Sequence, residues 1–88
     1  MKVNPKFVLR NIYGKNILMP VRKNNASDEP ILLNDIAAEI WKEAEKSDSI
    51  DEIVGVITKE YNIQNNSQEE KAVKQFVNSL IEQNLLFV

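Results

Sequence analysis

Eighty-eight residues suffice for one modest hydrophobic core, and 43% apolar content is ordinary for a folded chain rather than a disordered one. Eleven Lys and Arg against 13 Asp and Glu leave a formal net charge of −2, which as a total gives no footprint for nucleic acid or an anionic membrane. There is no histidine and no cysteine, so the usual general base, the commonest metal ligands and the thiol nucleophile are all missing.

The opening "MKVNPKFVLRN" places Pro5 and charges where a signal peptide needs an unbroken apolar stretch, and no run approaches the roughly 18 apolar residues of a membrane span. A cytoplasmic protein is the expectation. "KFVLRNI" (6 to 12) reads as a strand, "YGKN" (13 to 16) as a turn in which Gly14 permits positive φ, and "ILMPV" (17 to 21) as a second strand. Pro20 cannot donate to a ladder, so its amide position must face an unpaired side or a strand end. "RKNNASDE" (22 to 29) is polar, lacks periodicity and reads as a loop, and "PILL" (30 to 33) as a short third strand. Short loops favour neighbouring strands, which predicts a three-stranded antiparallel meander.

The remainder is helical. Asn34 caps a first helix over 35 to 46, whose apolar face is Ile36, Ala37, Ile40, Trp41 and Ala44. "SIDE" (49 to 52) is a capping box opening a second helix, with Ile50, Ile53, Val54, Ile57 and Tyr61 in line. "SQEE" (67 to 70) is another, opening a helix to about Asn84, where asparagine suits a left-handed stop before "LLFV". Strands followed by three helices give an α+β fold with the helices on one side of a small sheet. The chain reads as one domain over 1 to 88.

Two features look outward. The last helix carries a central stripe of Val73, Val77 and Leu80, flanked by Phe76 on one side and by Ile81 and Leu85 on the other. This arc spans about half the circumference, against the roughly 100° that one core contact needs. Ile31, Leu32 and Leu33 are consecutive, and at a sheet edge their backbone groups would be open to pairing. An extended peptide could then add as a strand while its side chains drop against the helix. Lys71 and Lys74 lie on the outer side of that helix, as partners for peptide carboxylates or as a solvated face. The three carboxylates of "DSIDE" (48 to 52) lack Ca²⁺-loop spacing and serve the helix start, and no serine or lysine has an activating base. No catalytic residue, metal site or cofactor is expected. Winged-helix DNA binding is the competing reading for strands plus three helices. It wants basic residues on a reading helix, and the last helix balances its lysines with Glu69, Glu70 and Glu82 and has no arginine.

"LNDIAAEIW" (33 to 41), "SIDEIVGVITKEYNI" (49 to 63) and "AVKQFVNSLIEQNLL" (72 to 86), in that order and separation, resemble the PqqD-like proteins, with "FVLRNIYGKNILMPV" suiting the family's N-terminal hairpin. Ala72 stands where members often have an acid, and Asn84 where they often have glycine. The resemblance implies a winged-helix-like, three-stranded sheet with three helices that binds the leader of a ribosomally synthesised precursor peptide. It further implies a non-enzymatic peptide chaperone presenting that precursor to a modifying enzyme, often a radical S-adenosylmethionine protein. By position, the leader would pair with Ile31, Leu32 and Leu33 and pack on Val73, Lys74, Val77 and Ile81. A protein-docking adaptor that handles no modified peptide is the alternative.

Overall fold

The computed structural model describes residues 1 to 21 and 29 to 87; of the loop expected over 22 to 29, residues 22 to 28 lie outside them. The elements are β1 (Lys2–Val3), β2 (Phe7–Ile12), β3 (Lys15–Pro20), β4 (Ile31–Leu33), α1 (Asp35–Lys46), α2 (Ile50–Glu60), α3 (Gln68–Glu82) and β5 (Leu86–Phe87). The expected antiparallel meander is present as β2-β3-β4, and the three helices follow it. A second sheet, not anticipated from the sequence, pairs β1 with β5 through Lys2 opposite Phe87 and Val3 opposite Leu86. Its ends are tied by the Asn4 N–H to the Leu85 carbonyl at 2.9 Å and by the Asn4 side-chain amide to the Asn84 carbonyl at 2.9 Å.

The hairpin turn is tighter than the sequence suggested. Tyr13 (φ 51°) and Gly14 (φ 78°) alone form it, with Ile12 opposite Lys15 closing the ladder. Two successive positive-φ residues match the right-handed twist of the strands. In such a hairpin the closing pair exchanges both backbone hydrogen bonds, and bonded pairs then alternate. Lys15, Ile17 and Met19 therefore aim their backbone groups at β2, and the same parity carries the Val21 N–H to the Lys6 carbonyl at 2.7 Å. Asn16, Leu18 and Pro20 aim theirs the other way. Since β4 pairs only as far as Leu18 opposite Ile31, the N–H that Pro20 lacks falls where β4 has already ended.

All three helix starts are capped as expected. The Asn34, Ser49 and Ser67 side chains accept from the N–H groups of Ala37, Glu52 and Glu70 at 2.8, 3.2 and 3.2 Å. The stops of α2 and α3 share one device. Asn62 (φ 55°) and Asn84 (φ 60°) take the left-handed position, and the next N–H reaches back five residues, Ile63 to Thr58 at 2.8 Å and Leu85 to Leu80 at 2.9 Å. Leu80 and Leu85 are both buried, which supplies the apolar contact of this motif.

One core joins the sheet to the helices. Leu18 and Leu33 meet Ile40, Trp41 and Ala44 of α1, Ile53 and Ile57 of α2, Val73, Val77 and Leu80 of α3, and Leu86 of β5. Tyr61, placed with the apolar face of α2 by its spacing, is instead half-exposed at that helix's end. We expect Asn34→Ala to lower stability by about 1 kcal/mol, moving a thermal midpoint by roughly 4–8 °C in a chain this size. Circular dichroism melting checks this, and a smaller shift would mean that water caps α1 equally well.

Candidate functional site

The strand order leaves β4 at an edge. Leu33 and Ile31, opposite Asn16 and Leu18, spend their backbone groups on β3, whereas Leu32, opposite Ile17, must turn its N–H and C=O to the open side. Side chains alternate the other way. Leu33 is buried and Ile31 half-buried against the core, while Leu32 is 67% exposed on the outer face. The three consecutive apolar residues thus divide their work: two anchor the strand, and the middle one holds an unpaired backbone unit at the rim.

A cleft of about 320 Å³ opens just beyond β4, between α1 and α3. Ile36 and Ile40 of α1, Ile63 of the α2–α3 loop, and Ala72, Val73 and Phe76 of α3 line it, with Asn34 and Glu69 as its polar edge. A second hollow of about 420 Å³ lies at the start of β4, between Glu29–Ile31 and the Gln83–Leu85 end of α3. The two hollows therefore bracket β4, and α3 runs antiparallel to it.

The residues singled out from sequence separate accordingly. Ile31, Leu32, Leu33 and Val73 are brought to this region. Val77 is wholly buried in the core, without surface to offer a ligand. Lys74 and Ile81 lie about 160° and 140° around the helix axis from Phe76, on the flank away from the cleft. Lys74 is occupied there by Glu70 at 3.3 Å, and Ile81 packs against the core. Phe76, Ala72, Ile36 and Ile63 are the lining residues that the sequence reading did not put at the site. Their signal was present in part, since Phe76 stands alone on its flank of α3.

Among the described residues, Glu69 is the one titratable side chain lining the cleft. Tyr61 has its phenol raised above the ordinary value, first by partial burial and then by the Glu39, Glu60 and Asp35 carboxylates, so it stays protonated at neutral pH. Among the described residues no group of carboxylates could hold a metal ion, and no helix is long and apolar enough to cross a membrane.

A family profile described as coenzyme PQQ synthesis protein D (PqqD) matches residues 16–86. The chain belongs to the PqqD family. The match runs from the second hairpin strand through β5 and so takes in the edge strand, the cleft and all three helices. A solved structure described as TbiB1 in complex with the TbiA(beta) leader peptide is similar in fold, with a TM-score of 0.67 over 98% of this chain and 94% of that one at 22% identity. No curated protein matches the chain. Within this PqqD-family fold, the exposed apolar cleft and the open backbone edge are neighbours.

Proposed function

We propose that this PqqD-family domain binds the leader region of a ribosomally synthesised precursor peptide as a strand added to β4, without catalysing a reaction. It then presents the peptide to a modifying enzyme, for which a radical S-adenosylmethionine protein is the first candidate, in the cytoplasm. The observation that carries this reading is the outward N–H and C=O of Leu32 beside an apolar cleft. An extended segment needs both: backbone partners for affinity and register, and a pocket for alternate side chains. The likeness to a leader-peptide complex supports the same occupant. Continuing the antiparallel sheet, the leader would run in the direction of α3, its first residues over Phe76 and its last toward Asn84.

The proposed contact set keeps Ile31, Leu32, Leu33 and Val73, and takes Ile36, Ala72 and Phe76 in place of Lys74, Val77 and Ile81. Among the described residues Glu69 is the one charged residue lining the cleft, which favours a neutral or basic side chain on the peptide there. Phe76→Ala should weaken leader binding by about tenfold, the loss of roughly half the 1.5–3 kcal/mol that a fully buried Phe contributes. Lys74→Glu should change it less than about twofold, because the ion pair it breaks, half-exposed at Lys74 and largely buried at Glu70, lies on the far flank from the cleft. Calorimetric titration with the leader encoded beside the gene decides. A large loss for Lys74→Glu with none for Phe76→Ala would place the peptide on the other flank of α3.

A further inference from the structure

The near-zero total charge conceals a segregation. Residues 1 to 23 hold Lys2, Lys6, Arg10, Lys15, Arg22 and Lys23 and no acidic residue, so all 13 carboxylates fall in the rest of the chain. The strand alternation puts Val8, Arg10 and Ile12 of β2, Lys15, Ile17 and Met19 of β3, and Leu32 of β4 on the sheet face turned from the helices. Val8 and Ile12 are exposed, and neither Ile17 nor Met19 belongs to the residues packed on the core. This is an open apolar face edged by cations, the kind of patch that marks a protein contact.

We propose that the outer face of β2-β3-β4 docks a folded protein whose surface is apolar at its centre and acidic at its rim, namely the modifying enzyme. The assignment of the enzyme rests on the leader-binding function above; the chemistry of the face does not. Charge selects among occupants. A second copy packed through the same face would add another Arg10 and Lys15 and, from these strand residues, no carboxylate, leaving the cations of both copies without partners. Nucleic acid calls for cations aimed at phosphates, whereas among the described strand residues of this face five apolar side chains accompany two cations, Arg10 and Lys15, which are diagonal neighbours at one corner. An acidic, apolar-centred protein surface satisfies both features. The face also shares β4 with the proposed peptide edge, so a partner seated on it meets the leader directly beside Leu32.

The test is an amide-resolved NMR titration of the ¹⁵N-labelled chain with the purified enzyme encoded beside its gene, and separately with a 20-base-pair DNA duplex and with phosphatidylglycerol vesicles. Expected are signal losses at Val8 to Ile12 and Lys15 to Met19 with the enzyme alone. Arg10→Glu and Ile12→Ser, each checked for an unchanged melt, should weaken the enzyme by about tenfold and leave leader affinity as it was. Losses at this face with DNA or vesicles but not enzyme, enzyme contacts confined to the helices, or wild-type affinity in both variants would overturn the proposal. If the leader binds and the enzyme avoids the face, only the docking falls; if the enzyme docks and the leader does not bind, only the peptide function falls.

Discussion

Leu32→Pro should cut leader affinity by roughly a hundredfold, about 2.7 kcal/mol, while leaving the fold and its melting temperature nearly unchanged. Each half of that expectation has its own cause. The Leu32 amide faces the open edge, so proline removes no bond within the sheet, and its side chain is exposed, so no core contact is lost. For an added strand the same change deletes a donor and leaves a peptide carbonyl unsatisfied at a partly dry interface, at about 1–3 kcal/mol. The ring also crowds the approach. Leu33→Pro is the contrasting variant. Its amide belongs to the pair with Asn16 and its side chain is buried, so it should unfold the edge outright. Calorimetric titration beside a melt separates the two, and undiminished binding by Leu32→Pro would end the strand-addition mechanism.

Trp41→Ala should be the most damaging single truncation, at about 3–5 kcal/mol. Trp41 is the largest of the fully buried side chains, 1% exposed, and it sits in α1 among residues of the sheet and the other helices. Native domains hold only about 5–15 kcal/mol in all, and one of this length belongs at the low end. Urea unfolding followed by circular dichroism should show the midpoint collapse or no cooperative transition at 37 °C. Apparent leader affinity should fall with the folded fraction. A cost below about 1 kcal/mol would mean that the core closes around the gap.

The helices were legible because their signals are local: three caps, the asparagine stop at Asn84 and apolar spacing each sit within a few residues, while the matching stop at Asn62 was not read. The edge position of "PILL" was legible too, through short-loop logic. Which of its amides points outward was not, because that parity is counted from the hairpin. Reading Tyr13 to Asn16 as the turn leaves the count open, whereas a two-residue turn at Tyr13 and Gly14 fixes it for every strand that follows. The cleft-facing flank of α3 was hidden for another reason. An apolar arc half a helix wide is equally consistent with a groove on either side, and only the placement of α1 and Ile63 selects Phe76 over Ile81. The β1–β5 pairing was beyond reach: two residues at each end carry no periodicity to read.

That small pairing has a consequence for how such a unit travels between proteins. With Lys2 beside Phe87, the polypeptide enters and leaves the fold at one point, like thread through a bead. A unit of this kind can be strung onto either end of a larger chain, or spliced into one of its surface loops, without stretching its host. The second hollow, with Asn4 and Asn84 in its wall, lies close to that same point, so whatever is attached there sits beside the start of β4.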